Sequence, residues 1–182
     1  MRCTWIFLFL IVSVSILGCT QHPSWTTPSS SNSLLYNPSR EFEERVKHDD
    51  FTGETRYQYY PGRGMFETRF RATYIKTKNN KKTLLSEIYY FGNNWLFVVD
   101  LLLKIDDADP ISLPVGQFSR TVLAGNMISE TAFGVIDIKM LKKIANSDVA
   151  TLRFVGKKGN KDYKISATEK QGLLWVLSEY EK

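Results

Sequence analysis

An α+β fold follows from three features of this 182-residue sequence: period-two apolar runs, turn signals spaced between them for hairpins, and two helical-period segments confined to the second half. Runs of hairpins with late helices imply an antiparallel β-sheet of about six to eight strands, with the two helices packed on one face. An apolar fraction of 43% can core one domain of this length, which we place at residues 41–182.

The elements follow in chain order. EFEERVKHDD, residues 41–50, is a charged stretch compatible with a short helix, which starts the strands near Phe51. In GMFETRFRATYI, Phe66, Thr68, Phe70, Ala72 and Tyr74 fall on one face and Glu67, Arg69, Arg71 and Thr73 on the other, the alternation of a half-buried strand. KTKNNKK predicts a hairpin loop and TLLSEIYYF its returning strand. After the turn FGNNW, the run WLFVVDLLLKI is long and apolar enough for a central strand, and DDADP ends it. SRTVLAG and ISETAFGVI predict a hairpin about Gly125-Asn126 that sets Arg120 nearly opposite Glu130, where pairing explains charges on apolar strands.

IKMLKKIA reads as an amphipathic helix with Ile138, Leu141, Ile144 and Ala145 at helical spacing and Asp137 as its cap. VATLRFVG and KDYKIS pair through KKGN. The last segment, SATEKQGLLWVLSEYE, has a capping box in Ser166 and Glu169, with Leu173, Leu174, Val176, Leu177 and Tyr180 along one face.

The first 18 residues read differently. Met1-Arg2 is a short positive start, and WIFLFLIVSVSIL runs from Trp5 to Leu17 without a charge. That is too short to span a bilayer in comfort, which takes about 20 apolar residues, and it has the length of a signal-peptide core. Ile16-Leu17-Gly18-Cys19 resembles the lipobox of bacterial lipoproteins. The resemblance covers residues 1–19 and implies a processing class: cleavage between Gly18 and Cys19, a thioether-linked diacylglycerol on the Cys19 sulfur, and acylation of the new amino terminus. Ile16 replaces the commoner leucine and Leu17 is bulkier than usual. Several acyl chains suit the purpose because one chain alone binds a membrane only marginally. Cys3 would leave with the signal peptide, so the mature chain would hold a single, modified cysteine and no disulfide.

By analogy with enteric-type sorting, Thr20 in place of aspartate implies the outer membrane, facing the periplasm, for a Gram-negative source. Residues 19–40 then form the acylated cysteine and a tether rich in Ser, Thr, Pro and Asn, a composition that favours a flexible linker. Trp25, Leu34, Leu35 and Tyr36 are apolar for a tether and suit docking on the domain, the lipid interface or a partner. LKKIANSDVATLRFVGKKGNKDYKIS, residues 141–166, is similar to the ending of several uncharacterised bacterial envelope proteins, which implies no activity.

Chemistry is sparse. The two histidines, His22 and His48, cannot build a His-based triad or a multi-histidine metal site, and no phosphate-cradle or nucleophile-elbow motif occurs. We expect no cofactor, no metal and no enzymatic activity. Asp106, Asp107 and Asp109 read as a solvated turn, and the strand acids Glu87, Asp100 and Glu130 read as partners of Arg69, Arg71, Arg120 or Arg153. Two features remain as candidate contacts. Lys78, Lys81 and Lys82 at one hairpin tip and Lys157, Lys158 and Lys161 at another could touch an anionic surface together if the tips share an edge. Phe70, Tyr74, Tyr89 and Trp95 could line a ligand groove. The expected function is a membrane-anchored, non-enzymatic binding or accessory domain of the cell envelope, with the bilayer and an envelope protein as partners and no nucleic acid. The alternative is a periplasmic carrier or sensor of a small apolar or lipid-like ligand.

Overall fold

The computed structural model describes residues 42–61 and 67–182. The lipobox, Cys19 and the tether lie outside the described residues. In the described chain, strands and helices run β1 (Phe42–Asp49), β2 (Glu54–Pro61), β3 (Arg69–Lys76), β4 (Lys82–Gly92), β5 (Val98–Ile105), β6 (Ile111–Ser112), β7 (Ser119–Val122), β8 (Ile128–Val135), α1 (Ile138–Asn146), β9 (Ala150–Gly156), β10 (Gly159–Lys164) and α2 (Ala167–Glu181).

The class is α+β, with every strand pair antiparallel. The strands outnumber the six to eight expected and divide between two sheets, β1-β2-β3-β4-β8-β7 and β10-β9-β5-β6. The division happens after β4. The backbone N–H groups of Leu96, Phe97 and Val98 all donate to the Glu130 carboxylate, at 2.8–2.9 Å, and Phe97 takes a φ of 52° there. The chain is turned out of the first sheet at that point, and β5 pairs with the later β9 instead.

The charged stretch before Phe51 is also a strand. Its eight residues pair in full register with β2, so the strands begin at Phe42, and a charged sequence is what an edge strand tolerates. Asp49 closes this hairpin: its carboxylate accepts from Phe51 N (2.9 Å) and Thr52 N (3.3 Å), while Gly53, at φ 67°, returns its N–H to the Asp49 carbonyl.

The inner face of the large sheet carries Tyr59, Phe70, Ala72, Tyr74 and Ile88, all 1% exposed or less. Helix α2 lies across β1, β2 and β3, and α1 packs against α2. The small sheet fills the rest of that face, where Tyr90 of β4 meets Phe154 of β9 at 5.7 Å between ring centres. The predicted caps form: Asp137 accepts from Lys139 N, and Ser166 and Glu169 make the reciprocal box of α2. The Arg120–Glu130 pairing across β7 and β8 also forms. Strand β3 departs from expectation because Arg71 and Thr73, on its outer face, are buried as well.

Candidate functional site

Side chains alternate, so the outer face of the large sheet collects what the core does not take. Register fixes the set. Tyr57 pairs with Tyr74 on the inner face, which leaves Gln58 and Tyr60 of β2 outward with Arg69, Arg71 and Thr73 of β3. Arg45 of β1 pairs with Gln58, Glu87 of β4 with Arg71, and Phe133 of β8 with Glu87.

These residues form a ladder of alternating guanidinium groups and rings. Arg45 lies 4.0 Å from the Tyr60 ring centre, and Arg71 lies on Tyr60 at 4.5 Å and Tyr89 at 5.4 Å. Arg69 lies on Tyr89 at 4.7 Å and Phe91 at 5.7 Å. The Tyr89 and Phe91 rings run parallel at 6.2 Å, and Phe133 meets Tyr89 edge-on at 6.4 Å. Cations over aromatic faces are each worth about 0.5–1 kcal/mol when exposed and more when desolvated, so each contact of the ladder favours the stacked arrangement.

Beneath it, Glu87 is the hub. Arg71 Nε donates to its carboxylate at 2.9 Å, Arg71 Nη2 and the Thr73 hydroxyl also donate to it, Gln58 Nε2 donates at 3.4 Å, and Tyr89 OH donates at 3.0 Å. Burial opposes charge on Arg71, but the Glu87 carboxylate outweighs it and raises the guanidinium's pKa. Burial first, then the Glu87 charge, pushes the Tyr89 phenol up to about 12. Arg71 therefore stays charged and Tyr89 neutral at physiological pH. The rim is apolar and open: Phe133 is 51% exposed, and Val135 on the same face is 68% exposed. Among the described residues, no three His, Cys, Asp or Glu side chains gather into a metal-binding group.

The residues singled out in the sequence do not converge. Phe70 and Tyr74 lie in the packed core, Tyr74 stacking on Tyr57 at 4.9 Å and meeting Tyr180 edge-on, so neither lines a groove. Tyr89 sits on the opposite face, in the ladder. Trp95 packs against the core after β4, with Phe97 at 5.9 Å. The two lysine groups belong to different sheets, the first to the β3–β4 turn of the large sheet and the second to the β9–β10 hairpin of the small one. Lys78 and Lys81 belong to the β3–β4 turn and Lys82 opens β4, whereas Lys158 lies over Phe97, level with Glu130 and its partner Tyr90. Lys82 and Tyr90 are eight residues apart on one strand, about 26 Å at ~3.3 Å per residue, so the tips share no edge. Lys161 stands on β10. The strand acids do pair as expected, Glu87 with Arg71 and Glu130 with Arg120, while Asp100 accepts from Ser112 and Arg153 takes Asp162. Asp106 ties its turn to the segment before β9, its carboxylate accepting from Val149 N and its N–H donating to the Val149 carbonyl.

Arg45 and Phe133 were not singled out by sequence reasoning, whereas Tyr60 and Phe91 lie in the aromatic stretches YQYYPGRGMF and IYYF that it did pick out. The alternation of Arg69 with Arg71 and of Tyr89 with Phe91 was visible, but only sheet order brings β1, β2 and β8 beside them. The chain matches no protein-family model and none of the curated proteins it was compared with.

Proposed function

We propose that this chain is a lipid-anchored protein of the bacterial cell envelope, held through Cys19, whose non-enzymatic domain binds another envelope protein on the outer face of its six-stranded sheet. The observation that carries the reading is the ladder. Arginine and tyrosine dominate the energetics of protein interfaces, because each combines large area with directional donors and loses little freedom when already stacked. Here they surround a buried polar hub and are flanked by exposed Phe133 and Val135. The lipobox resemblance at Ile16-Leu17-Gly18-Cys19 supports the anchor and, with Thr20, an outer-membrane location facing the periplasm.

The test is a photo-crosslinking residue placed at Phe133 in the chain expressed in its source cells, with the same residue at the exposed Val149 as control and Cys19→Ala as the unanchored form. A discrete envelope protein crosslinked from position 133 alone, and only in the anchored form, is the expected result. Equal labelling from both positions removes the outer face from the reading, and labelling that survives Cys19→Ala removes the anchor.

A second reading has one observation in its favour. An open groove of about 500 Å³ beside α1, floored by Leu103, Ile105, Ile111 and Met140, has the size of small-molecule sites and suits the carrier of a small apolar or lipid-like ligand. A reproducible small molecule co-purifying with the chain, with no crosslinked protein, would bring it to first place.

A further inference from the structure

Phe97 holds a positive φ of 52°. A bulky side chain at positive φ is a backbone outlier, and such strain persists only where surroundings impose it. What imposes it is Glu130, 0% exposed, whose carboxylate gathers three successive backbone N–H groups and Arg120 Nε at 3.0 Å. The Glu130 charge is thus spent inside the protein.

Outside it, Arg120, whose own charge Glu130 already pairs, is joined by two lysines. The Phe97 ring lies 5.5 Å from the Arg120 guanidinium and 5.0 Å from Lys158 Nζ. Lys157 is fixed beside them by its backbone N–H to the Phe97 carbonyl. An open pocket of about 330 Å³ is bounded by Phe97, Gln117, Phe118, Arg120 and Lys157 together with Val98, Val99 and Gly116, and no Asp or Glu lines it. Arg120 commits Nε to Glu130 and one Nη2 hydrogen to the Val98 carbonyl, leaving the third-exposed outer side of its fork toward solvent. A planar fork with an ammonium alongside is the donor set that recognises a tetrahedral oxyanion.

We propose that this pocket binds a phosphate group, carried by a small phosphomonoester or by a phospholipid headgroup, with Arg120 and Lys157 contacting its oxygens, Gln117 at the rim, and Lys158 held over Phe97 as the supporting charge. The site is separate from the arginine–aromatic face and does not depend on the protein-binding reading.

The experiment is amine acetylation of the full acylated chain in phosphatidylcholine vesicles, read lysine by lysine by mass spectrometry. Glycerol phosphate is added in one arm, and phosphatidylglycerol is included in the vesicles in the other. Lys78, Lys81 and Lys82 serve as internal controls. We expect several-fold slower acetylation of Lys157 and Lys158 with the controls unchanged. Protection by glycerol phosphate identifies a soluble source, and protection only with phosphatidylglycerol identifies the headgroup. Gln117→Glu, at an exposed position, places a carboxylate in the pocket and should raise the half-protecting concentration about tenfold, with the circular dichroism of the parent chain retained. No protection in either arm, equal protection of the control lysines, or protection indifferent to Gln117→Glu overturns the proposal.

Discussion

Arg71 and Glu87 face one another directly across β3 and β4, 5% and 4% exposed, on a sheet face whose other side is the hydrophobic core. Their bond is a buried ion pair with every carboxylate oxygen engaged, so its loss and its replacement have different consequences. Arg71→Met strands a buried carboxylate and should cost about 3–5 kcal/mol of unfolding free energy. Arg71→Met combined with Glu87→Leu removes both charges and should lie within about 1–2 kcal/mol of the parent chain. Urea denaturation of the two variants checks this, and a double variant as unstable as the single one would show that the hub's hydrogen bonds, not its charge balance, hold the strands.

The same hub sets an alkaline limit. Tyr89 ionises near its ordinary 10.0 in the unfolded chain and near 12 in the fold, where burial and the Glu87 charge both oppose the phenolate. Between those values the unfolded state sheds the proton first, so stability due to Tyr89 is whole below about pH 10 and disappears as pH rises through about 12. Ultraviolet titration of phenolate should show a late-ionising tyrosine that is missing in Tyr89→Phe. Glu87→Gln should shift it downward only in part, because burial is the larger cause.

Legibility in the sequence tracked how local each feature is. The β7–β8 hairpin, the β9–β10 hairpin, both helix caps and the Arg120–Glu130 pair depend on neighbours within about ten positions, and all could be read. Strand β1 could not, because FEERVKHD has no apolar alternation of its own and becomes a strand through β2. The split into two sheets was equally hidden: β5 finds its partner in β9, past β6, β7, β8 and α1, and the turn that releases it depends on a carboxylate reaching back from β8. The ladder was half visible, as two arginines and two rings on adjacent strands. Its outer members, Arg45 and Phe133, arrive by topology.

Gly172 makes a prediction of unusual sign. Replacing a mid-helix glycine with alanine ordinarily stabilises by about 1 kcal/mol. A Cβ at Gly172, however, would lie 2.2 Å from Cδ2 of Tyr59. That ring is 0% exposed, and its hydroxyl donates to the Phe70 carbonyl at 3.1 Å, so it cannot swing aside. Gly172→Ala should therefore destabilise by about 1–3 kcal/mol, as overpacking does. Thermal unfolding decides the sign, and Tyr59→Leu in the same chain should recover part of the loss.

Glu169 does more than cap α2. One carboxylate oxygen accepts Phe70 N at 2.9 Å, and the other takes Tyr163 OH at 2.6 Å with Ser166 N and Oγ at 2.8 Å, tying α2 to β3 and β10. Ser166→Ala removes only the cap and should cost about 1 kcal/mol. Glu169→Ala also leaves a buried amide and a phenol unpaired, at about 1–3 kcal/mol each, and should cost about 3 kcal/mol or more. The Tyr163 phenol, raised by burial and then by the Glu169 charge, should ionise at lower pH in that variant. Equal losses in the two variants would confine Glu169 to its capping role.

Tyr60 lies between two guanidinium groups, Arg45 at 4.0 Å and Arg71 at 4.5 Å, and so carries the ladder from the sheet edge to its buried hub. Tyr60→Leu keeps apolar bulk and removes the ring's electrostatic face. If stacking holds Arg45 in place, a double-mutant cycle between Tyr60→Leu and Arg45→Met should return a coupling of about 0.5–1 kcal/mol at this partly exposed site. Because the attraction is cation to ring, not cation to carboxylate, Arg45→Lys should retain part of the coupling. Zero coupling would mean that the two side chains are only neighbours, and Tyr60→Leu should then leave crosslinking from position 133 unchanged. Measurable coupling together with lost crosslinking is the outcome expected of a surface preorganised for a partner.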